Sequence, residues 1–591
     1  MKQFFGAFFG SVIGIIIATV IAVLIIVGAI KSSIGGALKD EHATSIVKDN
    51  SILRIELDGS IIDREVENPF AEIEGLKQFS QADGIGLNML LRKIKAASAD
   101  DKIKGIYLDM KNLMAGYANV TELRNALLDF KKSGKFVYCY AEVYDQRSYY
   151  LASAASKVFV NPQGAIEFKG LSMSLMFYKQ TLEKLGVDMQ VFRHGKFKSA
   201  VEPFLLDKMS EANRLQSETF LNSIWNSMLE GIAKERKVSI DDLNKWANEL
   251  SIEDPESAVG KLVDATAYED EVITELKKKT GVAEKDKLNF LEFGKYDPKT
   301  KFDAKDRNTQ IVVIYASGNI SSGDGGNDEI GSDRIAKAIR EARLNDKVKA
   351  IILRVNSPGG SALASDVMWR EVVLAKKAKP FIVSMGNLAA SGGYYISCAA
   401  DRIFAQPNTI TGSIGVFGII PNLQKAFEQK LGITIDTVNT NKHSHLGSPF
   451  LPIKEKEHEY IQKSVEKIYD VFTKRVAEGR KMEQSAVDSI GQGRVWSGAD
   501  AIKIGLVDEI GGLDDAIAYA AKKANLKDYK LIEMPKQKHP FEELLGKAED
   551  DVETRIIQKN LGVTYSYLKH IQTIISAKGV QARLPFEMVI E

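Results

Sequence analysis

At 591 residues the chain is too long for one hydrophobic core and suits two large domains with additions. Its 45% hydrophobic and 27% charged residues are ordinary for a globular protein and leave little room for disorder. The 79 Lys and Arg nearly cancel the 78 Asp and Glu, which argues against a nucleic-acid partner.

From Phe4 to Ile30 no charged residue occurs. A helix of about 20 residues crosses the hydrocarbon core, whereas the apolar region of a cleaved signal peptide is only about 7–15 residues long. The pattern predicts an uncleaved transmembrane anchor over 1–31 and a single-pass protein with nearly all its mass on one side. Lys2 on one flank against Lys31 and Lys39 on the other barely discriminates orientation. A polar tether follows over 32–50.

A first domain is expected over 51–283. It opens on an alternating strand, Ile52 to Gly59, and continues with a charged helix, a strand from Ile103 to Leu108, another helix and a strand from Phe136 to Tyr140. Residues 284–308, rich in Lys and Asp, read as a linker. A second domain over 309–530 repeats the order, with strands at Ile311 to Tyr315, Val348 to Leu353 and Phe381 to Met385. Strands alternating with helices imply parallel βαβ units, an α/β fold. Residues 531–591 read as a tail, helical and charged from Phe541 to Lys578, that closes on an extended arm from Arg583 to Glu591. Cys139 and Cys398 have no metal-ligand spacing and differ in repeat position, so they read as small buried hydrophobes rather than a disulfide.

The two domains are copies. With an ungapped offset of 245, Leu108 falls on Leu353, Phe136 on Phe381, Tyr149-Tyr150 on Tyr394-Tyr395, Pro162 on Pro407 and Gly170 on Gly415. In that frame Ser391, set among Ala389-Ala390 and Gly392-Gly393, faces Gln146. The turn Pro358-Gly359-Gly360 faces Leu113-Met114-Ala115. The second copy therefore keeps a serine and a glycine turn that the first has lost together, as two parts of one site would be.

Ser391 follows an apolar strand and precedes a helical run, where backbone amides and the helix dipole favour negative charge at a nucleophile; the same placement also suits a plain N-cap serine. Gly359 and Gly360 can turn N–H groups toward a developing oxyanion, or simply make a tight turn. A serine nucleophile needs a base. His443 and His445 lie in a loop with no pattern that points to Ser391, and a lysine held neutral by burial can serve instead.

Four motifs carry a resemblance: Ala390-Ser391-Gly392-Gly393-Tyr394, the turn from Asn356 to Ser361, Thr411-Gly412-Ser413-Ile414-Gly415, and Lys198-Ser199-Ala200-Val201-Glu202-Pro203-Phe204. Together they resemble the membrane-bound signal peptide peptidase A (protease IV) family in its long two-domain form, over roughly residues 1–530. The resemblance implies tandem ClpP/crotonase-like α/β domains after the transmembrane helix and a Ser–Lys dyad split between copies. It makes Ser391 the nucleophile, Lys198 the general base, Ser413 the hydroxyl that orients the lysine, and Gly359 and Gly360 the oxyanion turn. Near Pro203 and Pro449 the repeat offset becomes 246, so Lys198 faces Ser444. The second copy thus lacks the lysine, as the first lacks the serine. Lys196, two residues from Lys198, would share its face in a strand.

The family implies a bacterial inner-membrane enzyme with its catalytic domains on the extracytoplasmic side, a homotetramer held to the lipid bilayer by its N-terminal helix. It would degrade released signal peptides and other short apolar peptides without cofactor, metal or nucleic acid. The rival readings are a crotonase-type acyl-CoA enzyme, which uses the same fold and oxyanion turn, and a non-proteolytic membrane scaffold.

Overall fold

The structure, a computed structural model, describes residues 47–65, 84–298, 308–537 and 581–583. The apolar run from Phe4 to Ile30 and the charged stretch from Phe541 to Lys578 lie outside the described residues. Among the described residues no helix is long and apolar enough to cross a membrane.

The first copy begins with β1 (Ser51–Ile62), α1 (Leu87–Ala99), β2 (Ile103–Met114), α2 (Tyr117–Lys132), β3 (Phe136–Tyr144), α3 (Gln146–Ala152) and β4 (Lys157–Ile166). The four strands pair in that order and in parallel. Successive side chains serve opposite faces: Val137, Cys139 and Ala141 enter one core cluster, and Phe136, Tyr138 and Tyr140 enter another. Burial on both faces explains why Phe136 to Tyr140 reads as an unbroken apolar run. Full burial of one such side chain contributes about 1.5–3 kcal/mol. The copy continues through β5 (Asp188–His194), α4 (Glu211–Arg236), α5 (Glu269–Thr280) and β6 (Asn289–Glu292). β6 lies inside the stretch read as a linker, where it pairs in parallel with β1.

The second copy repeats the plan with β7 (Gln310–Ser317), β8 (Asn319–Ser321), α6 (Ser332–Leu344), β9 (Val348–Ser357), β10 (Gly359–Ser361), α7 (Ala362–Ala378), β11 (Phe381–Ala390), α8 (Gly392–Ser397), β12 (Ile410–Gly412) and β13 (Val416–Asn422). Here β7, β9 and β11 are parallel neighbours. The helix α9 (Leu513–Lys523) covers one face of this sheet through Leu513, Ala516, Ile517 and Ala520, as α5 does for the first sheet through Val272 and Leu276. The strand β14 (Lys530–Met534) pairs with β7 as β6 pairs with β1.

A third sheet ties the copies together. In it β5, from the first copy, runs antiparallel to β13 of the second, from His194 opposite Val416 to Asp188 opposite Asn422. The last strand, β15 (Gln581–Arg583), lies between β13 and β10, and β8 follows β10. Both cysteines are buried free thiols.

Candidate active site

Ser391 occupies the turn from β11 into α8. Its backbone adopts φ 56° and ψ −113°, a region L-residues rarely occupy and one that costs on the order of 1–3 kcal/mol. The bends on either side are fixed: the Ser391 amide donates to the Gly412 carbonyl at 2.8 Å, and the Tyr395 amide donates to the Ser391 carbonyl at 2.8 Å. As an ordinary N-cap, its hydroxyl would accept a bond from the first turn of the helix, and it makes no such cap bond. Instead Oγ lies 3.0 Å from Lys198 Nζ and 3.4 Å from the Gly415 carbonyl oxygen.

Lys198 arrives from the first copy. It does not sit in a strand: β5 ends at His194, and Lys198 precedes a short 3-10 turn, Ser199–Val201. That loop is fastened at several points. The Phe197 amide donates to the Gln492 carbonyl at 2.9 Å, and Gln216 Nε2 donates to the Phe197 carbonyl at 3.1 Å and to Ser199 Oγ at 2.9 Å. Glu202 accepts from Ser210 Oγ at 2.6 Å and from Asn213 Nδ2 at 3.0 Å, which binds the motif to the start of α4. A Cβ on Gly493 would stand 2.6 Å from Lys198 Cβ, so only glycine admits the lysine stem there.

Ser391, Lys198 and Ser413 are all fully buried. Burial alone pushes the Lys198 amine well below the ordinary lysine value, because the charged form would lose its hydration. The neighbouring cations Lys196 and Arg193 are exposed. Ser413 lies in the turn from β12 to β13 and presents Oγ at 3.0 Å and its carbonyl oxygen at 3.3 Å to Lys198 Nζ. A neutral amine has two hydrogens and one lone pair. Donating both hydrogens to Ser413 leaves the lone pair for the Ser391 hydroxyl.

Gly359 has φ +98°, which favours glycine, and a Cβ there would stand 2.7 Å from the Gly392 nitrogen. The glycine turn and the start of α8 thus enclose one small space. Gly392 opens α8, so its amide has no acceptor within its own helix. The Gly359 amide is already taken, donating to Ser357 Oγ at 3.1 Å. Gly360 packs against the Ile320 backbone of β8.

Several supporting residues gave no signal in the sequence. Arg354, in β9 just before the turn, is buried between Asp63 and Glu122 of the first copy, at 2.8 Å from each. Burial works against its charge, but the two carboxylates outweigh that and hold the guanidinium charged well above the usual range. Asp63 also accepts a short hydrogen bond from Asn356 Nδ2, while Asn356 Oδ1 accepts from the Leu388 amide at 3.0 Å. No spacing rule links Arg354 to Asp63 and Glu122, and each of these three alone reads as an ordinary charged surface residue.

Gln146, the first-copy counterpart of Ser391, spends its side chain on structure. Oε1 accepts from the amides of Lys169 and Gly170, and Nε2 donates to the Gly170 carbonyl at 2.9 Å. His443 pairs with Glu457 at 2.7 Å, and His445 approaches the same carboxylate at 3.6 Å. Neither histidine has a hydrogen bond to Ser391. Among the described residues no group of three or more His, Cys, Asp or Glu converges as a metal site.

The sequence profile of peptidase family S49 matches residues 129–283 and 374–527, one segment in each copy. The chain is 40% identical over 454 residues to Protease 4 of Salmonella typhi, covering 75% of this chain and 72% of that protein. It is 35% identical over 508 residues to the chloroplastic serine protease SPPA of Arabidopsis thaliana, covering 85% and 74%. Protease 4 of Haemophilus influenzae is 37% identical over 448 residues, covering 73% and 72%.

Proposed function

The chain belongs to peptidase family S49 and is a serine peptidase with two tandem domains of that family, and we propose that it works through one composite Ser391–Lys198 dyad shared between the two copies. The observation that carries this reading is the 3.0 Å approach of Lys198 Nζ to Ser391 Oγ within a fully buried site. The neutral amine takes the hydroxyl proton as Oγ attacks a peptide carbonyl. The protonated lysine then passes that proton to the leaving amine, and water releases the acyl group from Ser391 by the reverse sequence. Ser413 aims the lysine. The developing oxyanion lies toward the Gly392 amide and the turn at Gly359 and Gly360, a kind of contact worth about 3–4 kcal/mol per donor.

The proposed substrates are short apolar peptides, released signal peptides among them. The apolar run from Phe4 to Ile30 would hold the enzyme at a bacterial inner membrane, with its ClpP/crotonase-like domains on the extracytoplasmic side as a homotetramer. The test is turnover of an apolar fluorogenic peptide. Ser391→Ala and Lys198→Ala each abolish it with the fold intact, and Lys196→Ala leaves most of it. Near-normal turnover in either of the first two rejects the dyad, and the reverse ranking of the two lysines moves the base to Lys196.

A further inference from the structure

The loop that carries Lys198 is held by a turn of the second copy, Gly491 to Arg494. The Gln492 carbonyl accepts from the Phe197 amide at 2.9 Å, and the Arg494 carbonyl accepts from the Ser413 amide at 2.7 Å. Between them the Gly493 amide donates to the Ile414 carbonyl at 2.7 Å. One turn thus fastens both the residue before the lysine and the hydroxyl residue beside it. The fit is close: Gly195 has φ +105°, and a Cβ there would stand 2.4 Å from the Gln492 carbonyl oxygen. Gln492 itself has φ 50°, a left-handed conformation that few non-glycine residues adopt. Such a residue stays in place only where its surroundings hold it.

Tyr469 does the holding. It stands in the long helix Glu455–Arg480 and is buried. Its hydroxyl accepts from the Gln492 amide at 3.1 Å and donates to Asp488 Oδ1 at 2.5 Å. Burial, and then the bond to Asp488, push the phenol pKa up, so the hydroxyl keeps its proton. That one proton is committed to Asp488, which turns a lone pair toward Gln492. The Tyr469 ring stacks on His194, the last residue of β5, with centroids 4.0 Å apart and 26° between the planes. The lysine loop is therefore gripped twice, where it leaves β5 and, through Gln492, at Phe197.

We propose that Tyr469, its hydroxyl set by Asp488, is a positioning residue for the base, holding the Gly491-to-Arg494 turn that keeps Lys198 Nζ between Ser391 Oγ and Ser413. The inference rests on the Ser391–Lys198 reading of the site. Tyr469 and Asp488 act on the reaction through the turn rather than by touching the reacting atoms.

Tyr469→Phe keeps the ring on His194 and removes the hydroxyl alone. It lowers kcat for an apolar fluorogenic peptide on the order of 10²-fold, the cost of a base displaced by about 1 Å, and leaves KM unchanged. Fluorophosphonate labelling of Ser391 slows in parallel, because it needs the same proton transfer with no peptide in place. Asp488→Leu repeats both losses by freeing the hydroxyl to turn. Asp488→Asn, whose side-chain oxygen still accepts from the phenol, restores most of what Asp488→Leu loses. Thermal melts establish that each variant is folded at the assay temperature, and if Tyr469→Phe is not, the two Asp488 variants decide. Wild-type kcat in Tyr469→Phe, a loss confined to KM, or equal losses in Asp488→Asn and Asp488→Leu overturns the inference. Failure of the dyad is read separately, as activity surviving Lys198→Ala.

Discussion

Lys198 carries the sharpest consequences for a single residue. Its folded-state pKa is depressed by burial, so between that value and about 10.4 the unfolded chain binds the extra proton. Stability then rises with pH across this window, and the buried neutral amine weighs on the fold at pH 7. Lys198→Met therefore stabilises the protein at pH 7 by on the order of 1 kcal/mol while abolishing turnover. The gain shrinks as the pH approaches the unfolded lysine value; denaturant melts of both proteins across pH read it directly. By the same sign, kcat/KM for the wild type rises along a limb set by the depressed Lys198 pKa, to a neutral or alkaline optimum. An acidic optimum, or a limb that His443→Ala removes, would assign the base to histidine. The lysine was legible as a candidate from its motif and from its absence in the second copy. Burial was expected as the cause of its shift, but the groups that bury it were not legible, because Gly493 and Ser413 come from distant parts of the chain.

The elements most exposed to test are β9 and the turn that follows it. Arg354 anchors this segment to Asp63 and Glu122 across the copies. Arg354→Met leaves two buried carboxylates uncompensated and destabilises by about 3–5 kcal/mol, measured as a loss of thermal and denaturant stability. Gly359→Ala forces a Cβ into the space beside the Gly392 amide and lowers kcat by about 10²–10³-fold, as loss of an oxyanion contact does. The parallel strands were readable because they alternate with helices in both copies, and Phe136–Tyr140 is an unbroken apolar run buried on both faces. The third sheet was not. Its members are short, come from six separate stretches and alternate too briefly to show a period, so the sequence signals neither β5 nor the antiparallel partner that positions Lys198.

For the whole molecule, the duplication accounts for why neither copy holds both members of the proposed dyad. The first has given up the serine and filled its place with the bonds of Gln146, and the second has given up the lysine. The pairing of β5 with β13 and the Arg354 anchor bring the two remnants into one centre. Every residue of that centre lies beyond residue 46. Deletion of residues 1–45 accordingly yields a folded, active enzyme that stays in solution after ultracentrifugation; an inactive product would mean that the N-terminal segment is itself needed for activity. The division of labour itself is tested most directly by fluorophosphonate labelling across pH, with the adduct mapped by mass spectrometry. A single adduct on Ser391 is expected in the wild type, and its formation should fall to background in Lys198→Ala although the lysine belongs to the other copy. An adduct on a different residue, or undiminished labelling of Ser391 without Lys198, would contradict a site shared between the two copies.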